Sequence, residues 1–264
     1  MYTWPTMKQL TIWMGVLLFL TVDGILSLQA AHVNPTAGFS PAILLIAYAP
    51  SVAALLAAAI VLGKTGVWQL VRQVGRWRTG VWWYVLVLAA PLVIVALAHL
   101  LYGLGHGGQA GLALDYAGLG VAVGSIVAGS LGEEFGWRGL AQPLLQKRFT
   151  ILRASIIVGI LWATWHCWSI LAPGGLQGNW QLDVALTYLR LVPTAIIYGW
   201  LYNVSKGNLL LVMVAHAGHN IAVSLLPISV SGGAVATVVA CMYAGLAAAL
   251  VACGGFHNLP KAAQ

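Results

Sequence analysis

Glu133 and Glu134 stand side by side after an uncharged run, Tyr116 to Gly132, in a chain with only five acidic residues among 264. Three pairs follow the same spacing: Glu134 with Arg138, Trp162 with His166, and His216 with Asn220. Residues at i and i+4 share one helix face, so each pair can address one small object. Glu134 and Arg138 can neutralise each other, while Glu133 is turned about 100° away and free to face a cavity. A carboxylate withheld from water is a competent general base, and a nearby imidazole can hold the same water or relay its proton. An imidazole N–H and an asparagine amide N–H together can donate to a developing oxyanion. This is equipment for hydrolysing an amide. Ser125, Ser130, Ser155 and Ser169 lack the sequence context of a nucleophile. The zinc-protease helix HExxH is absent from the sequence.

The elements that must position these groups are set by composition. The chain is 61% hydrophobic and 6% charged, with a mean hydropathy of +0.91, where a soluble domain carries about 25% charged residues. A membrane span needs roughly 20 mostly apolar residues. Eight stretches qualify, at about 9–29, 42–62, 82–103, 117–147, 151–171, 184–204, 208–226 and 233–253. The expected fold is an all-α polytopic membrane protein with eight transmembrane helices and an intramembrane cavity among spans four, five and seven. It forms one membrane domain over 1–264, with a motif-bearing core at about 117–226. At 1.5 Å per residue, Glu133 lies ~21 Å from the basic end of span four, His166 ~22 Å into span five, and His216 and Asn220 ~12 and ~18 Å into span seven. The four can share one layer within the bilayer.

Ten of the twelve Lys and Arg residues fall on one side of this arrangement: Lys8, Lys64, Arg72, Arg76, Arg78, Lys147, Arg148, Arg153, Lys206 and Lys261. The opposite loops hold Asp115 and Asp183. This asymmetry places both termini in the cytoplasm of a multi-pass cell-membrane protein and assigns the +7 charge to topology and lipid headgroups rather than nucleic acid. Trp68, Trp77, Trp82 and Trp83 flank that boundary as interfacial aromatics do. The first stretch reads as a retained span rather than a cleaved signal. Cys167, Cys241 and Cys253 lie in apolar spans without CxxC spacing, so they read as small hydrophobes. His32, His99, His106 and His257 fall near span ends, where interfacial placement is expected. Asp23 and Arg190 are charges within spans, and mutual pairing or a structural network is the expectation.

Glu133-Glu134-x-x-x-Arg138, then Trp162-x-x-x-His166, then His216-x-x-x-Asn220 resemble, in order and spacing, the three motifs of the CAAX-protease and bacteriocin-processing (Abi) family, which includes the type II CAAX prenyl endopeptidases. The motifs cover roughly 125–225. The second commonly opens with Phe, and Trp162 is a departure that keeps an aromatic wall but alters pocket shape. The resemblance implies an intramembrane glutamate-dependent endopeptidase acting on a membrane-associated peptide, prenylated or of leader type. By motif, Glu133 would activate water with His166, His216 and Asn220 would form the oxyanion hole, and Glu134 and Arg138 would support the site. Trp162 and His219 would line the substrate pocket. No metal is assigned by this reading; a zinc ion on Glu133, His166 and His216 is the alternative, which sequence leaves open.

Three other readings share these residues. Midplane Glu, His and Arg suit a proton-coupled transporter, although paired broken-helix repeats are not evident. His166 with His216 or His219 could ligate a haem. A non-catalytic immunity protein could use the same polar groups as interhelical glue.

Overall fold

The computed structural model describes residues 4–35, 40–105, 126–176, 178–226, 233–257 and 259–262. Among the described residues there is no strand. The helices are α1 (Trp4–Ala30), α2 (Pro41–Val71), α3 (Val81–Gly105), α4 (126–146), α5 (Ile151–His166), α6 (Trp180–Val204), α7 (Leu209–Leu225) and α8 (Ala234–Ala252). A further turn, Trp168–Leu171, extends α5 after a break at Cys167. Among the described residues six helices are long and apolar enough to cross a membrane, and α7 is a shorter apolar one. The first part of the expected fourth span, 117–125, lies outside the described residues, as do His106 and Asp115.

Outward-facing side chains explain the composition. Phe19 is 69% exposed, Leu104 72% and Trp82 78%, a surface that suits lipid and not water. The chain is an all-α, multi-pass membrane protein.

Capping residues open the helices where the sequence changes character. Thr150 accepts a hydrogen bond from the Arg153 amide at 3.2 Å, and Asn208 Oδ1 accepts one from Leu211 N at 3.0 Å, each satisfying an otherwise orphaned donor. Span two was expected to end at 62. Instead Gly63, at φ 62° and ψ −153°, kinks α2, which resumes to Val71. Only glycine adopts that backbone without strain.

The helices pair as α1 with α2, α5 with α6, α7 with α3, and α8 with both α6 and α3. At the centre lies α4, built from two π-helical stretches, Ile126–Leu131 and Phe135–Ala141, around an α-helical turn Gly132–Glu134, and closed by Gln142–Gln146. Widened turns of this kind recur at functional sites. Its approach to α2 rests on small residues. A Cβ on Gly132 would sit 2.5 Å from the Ala47 carbonyl oxygen, and one on Gly136 would sit 2.5 Å from that of Pro50. The facing stripe of α2, Ala49, Ala53 and Ala57, is wholly buried, a small-residue seam that lets two backbones meet. Tryptophans fill the other side: Trp137 stands edge-on to Trp13 at 5.2 Å and to Trp165 at 5.9 Å.

Polar side chains tie the basic end together. Gln73 donates to the Gly139 carbonyl at 3.1 Å and accepts from the Tyr202 hydroxyl at 2.8 Å. Arg76 donates to the Lys206 carbonyl, and Lys261 to that of Gln146. These basic residues therefore help hold the bundle together.

Candidate functional site

Four helices supply the polar groups. From α4, Glu133 and Glu134 are buried, at 5% and 0% exposure, and so is Arg138. Arg138 Nη1 donates to Glu134 Oε1 at 2.9 Å, one turn along the same helix. The same oxygen meets His216 Nδ1 of α7 at 2.9 Å. Glu134 thus joins α4 to α7, and the carboxylate receiving the arginine also orients the histidine. The guanidinium lies 4.3 Å from the Trp162 ring centroid and 5.1 Å from that of Tyr198, so two aromatic faces pack against a cation that water does not reach.

Glu133 is held from α5. Trp162 Nε1 donates to Glu133 Oε2 at 2.6 Å. Trp162 was expected as a pocket wall; at 2% exposure it is an interior strut instead. Its ring stands edge-on to those of His166, at 5.6 Å, and His216, at 5.4 Å. Phenylalanine in its place could pack similarly but could not donate.

His166 ends α5, half-buried, with Nδ1 3.2 Å from the carbonyl oxygen of Trp162. A carbonyl only accepts, so Nδ1 carries the hydrogen and Nε2 presents a lone pair. His216 and Asn220 converge on the backbone of α4. A Cβ added at Gly129 would lie 2.5 Å from Asn220 Nδ2 and 3.6 Å from His216 Nε2. Glycine is required there for these two polar ends to approach. His219, one turn after His216, turns towards α8, with Nδ1 2.9 Å from the Tyr243 hydroxyl.

Other expectations need revision. An apolar cavity of about 320 Å³ lies between α3, α6, α7 and α8. Its lining meets the site at Tyr198, whose ring is 6.1 Å from that of His216, and at Tyr243, which bonds His219. Glu133, His166 and His216 do not gather within reach of one ion, and among the described residues no three His, Cys, Asp or Glu side chains do. Asp23 is exposed on α1 and does not pair with Arg190. His99 is 5% exposed, with Nε2 3.4 Å from the Leu226 carbonyl oxygen, so it is a core residue rather than an interfacial one. Cys241 and Cys253 are exposed and Cys167 half-buried, all as free thiols.

Sequence reasoning missed Gly129, Tyr198 and the donor role of Trp162. The last had a signal, since a buried indole N–H requires an acceptor and Glu133 is the acceptor at the same depth.

The fold and site define a polytopic helical membrane protein with a carboxylate–histidine centre buried between its helices. Residues 116–222, which bear all three motifs, match the model of the type II CAAX prenyl endopeptidase Rce1-like family. The recognition drawn from the motifs holds over this segment. A relative, CAAX prenyl protease 2 of Methanococcus maripaludis, is 33% identical over 101 residues. That match spans 37% of this chain and 37% of the relative.

Proposed function

We propose that the protein is an intramembrane endopeptidase that cleaves a membrane-associated, prenylated peptide. The observation that carries this reading is the convergence of Glu133, held by Trp162, with His166, His216 and Asn220 around the buried turn Gly132–Glu134. The Rce1-like match over the same residues supports it.

In the proposed reaction Glu133, with the lone pair of His166 Nε2, takes a proton from water as its oxygen attacks the scissile carbonyl carbon. The carbonyl π electrons move to oxygen, and that oxyanion accepts hydrogen bonds from Asn220 Nδ2 and His216 Nε2. The His216 role needs hydrogen on both ring nitrogens, with Glu134 Oε1 accepting from Nδ1. The C–N bond then breaks as the abstracted proton passes to the leaving amine, giving a carboxylic acid and a free amine. Glu134 and Arg138 keep His216 in register. Among the described residues the donor set does not form one metal-sized cluster. With the basic side taken as cytoplasmic, both termini lie in the cytoplasm and this chemistry occurs within the cell membrane, ~12–22 Å from that side.

The test is reconstitution in liposomes with a prenylated peptide and mass spectrometry of the products. One defined cut, abolished in Glu133→Ala and His166→Ala proteins that remain folded, supports the reading. Absence of cleavage by the wild type, with ion flux that depends on Glu133, would instead support a transporter.

A further inference from the structure

A polar cavity of about 110 Å³ lies where α1, α2 and α4 meet at the basic end of the bundle. The kink in α2 builds it. A Cβ on Gly66 would sit 2.7 Å from the carbonyl oxygen of Ala58, eight residues back, a separation of ~12 Å along a regular helix. The left-handed Gly63 thus folds the last turns of α2 against the ones before. Ala58, Leu62 and Gly66 form one wall, and Gly139 and Leu144 of α4 form another. Between them stand Gln9 of α1, Gln69 and Gln73 of α2, and Lys147 just after α4. Gln9 opens the first apolar stretch of the sequence and Lys147 closes the fourth, so the cavity lies at the level of lipid headgroups.

These polar groups differ in how far they are satisfied. Gln73 is fully committed: it donates to the carbonyls of Gln69 and Gly139 and accepts from Tyr202. Gln9 is only 6% exposed and lines the cavity, yet among the described residues its side-chain amide has no hydrogen-bond partner. The half-buried amide of Gln69 has none either. Buried amides are rarely left so, because an unmade bond is destabilising. Lys147 Nζ meets Thr6 Oγ1 at 3.3 Å, which uses one of its three hydrogens. Among the described residues no carboxylate pairs with Lys147 or lines the cavity. Two amides that can turn their N–H groups inward, beside an ammonium, suit an oxyanion. The surface beside the cavity is apolar. Val52, Leu55, Ala59 and Leu62 are exposed or half-buried and fall on one face of α2, at i, i+3, i+7 and i+10. Leu62 ends this stripe and also lines the cavity. A polar cavity at headgroup depth that continues into a lipid-facing apolar stripe has the layout of a phospholipid.

We propose that this cavity binds the phosphate of an anionic membrane lipid, with Gln9, Gln69 and Lys147 as donors and an acyl chain along the stripe from Leu62 to Val52. The lipid braces the junction of α1, α2 and α4. It does not touch the carboxylate–histidine centre, but Gln73, on the cavity wall, bonds the Gly139 carbonyl next in the chain to Arg138. The inference is independent of the protease reading.

The test uses the full chain in neutral detergent, with short-chain phosphatidylglycerol, short-chain phosphatidylcholine and inorganic phosphate as probes. Native mass spectrometry counts the molecules bound, and thermal unfolding reads the stabilisation each gives. The expected result is a single phosphatidylglycerol retained, with a raised unfolding midpoint. It should bind at least about tenfold tighter than phosphatidylcholine, whose choline brings a second cation to Lys147. Gln9→Leu and Lys147→Gln are each expected to weaken it by about tenfold or more, the range of one hydrogen bond to a charged group. Lys147 is exposed, so its variant carries the test even where Gln9→Leu fails to fold. Lys64→Gln removes an exposed charge that does not line the cavity and is expected to change nothing. Equal weakening by Lys64→Gln would mean diffuse attraction to a basic surface and overturns the proposal. Binding unchanged in Lys147→Gln, or equal affinity for the two lipids, also overturns it. Inorganic phosphate held as tightly as phosphatidylglycerol overturns the assignment to a lipid.

Discussion

The indole nitrogen of Trp162 and the Oε2 of Glu133 are 2.6 Å apart, a bond between α5 and α4 buried in the bundle. It fixes the carboxylate that the proposed mechanism uses and leaves its other oxygen for water. Trp162→Phe keeps most of the ring and removes only the donor. The expected outcome is a fall in kcat of about tenfold to a hundredfold, the kinetic equivalent of one charge-assisted hydrogen bond, with KM changed little. Steady-state kinetics on the reconstituted protein would check the split. An equal loss in an alanine variant alone would point to packing instead, because removing a buried Trp side chain costs about 3–5 kcal/mol of stability.

Arg138 and Glu134 form a wholly buried pair that also carries His216. Arg138→Met leaves the glutamate without its cation and is expected to destabilise the fold by about 3–5 kcal/mol. Arg138→Met combined with Glu134→Gln removes both charges, and its loss is expected to be smaller than that of the single arginine variant. Equilibrium unfolding in detergent measures both. A double variant less stable than either single one would contradict the pairing.

Two glycines on α4 separate chemistry from packing. At Gly129 an added methyl would displace only the flexible end of Asn220, 2.5 Å away. Gly129→Ala is therefore expected to fold normally and to lose activity. At Gly132 the obstacle is the Ala47 backbone, also at 2.5 Å. Gly132→Ala is expected to cost about 1–3 kcal/mol through overpacking. Thermal unfolding alongside cleavage rates distinguishes the two; equal destabilisation would refute the assignment of Gly129 to the site.

The helical nature of the spans was legible because hydrocarbon length and backbone hydrogen bonding leave few options. The three i,i+4 pairs were legible for a similar reason: helix geometry alone makes Glu134 and Arg138 neighbours. Long-range partners were not. Nothing in the spacing says that Glu134 also bonds His216, 82 residues away, or that Trp162 turns inward to Glu133. The π-helical turns of α4 shift side-chain directions away from a regular 100° step, so the face of each residue there could not be read from its number. Gly63 misled the reading of span two, because a left-handed glycine ends some helices and merely kinks this one.

The central claim is that Glu133 acts as the base. Replacing it with glutamine preserves size and the Trp162 acceptor but removes the basic oxygen. The direct measurement is kcat for Glu133→Gln against wild type on a prenylated peptide in liposomes, with unfolding curves showing both proteins folded. The expected result is a loss of about 10²–10⁴-fold, the usual contribution of a general base. Cleavage at the wild-type rate by folded Glu133→Gln would contradict the account.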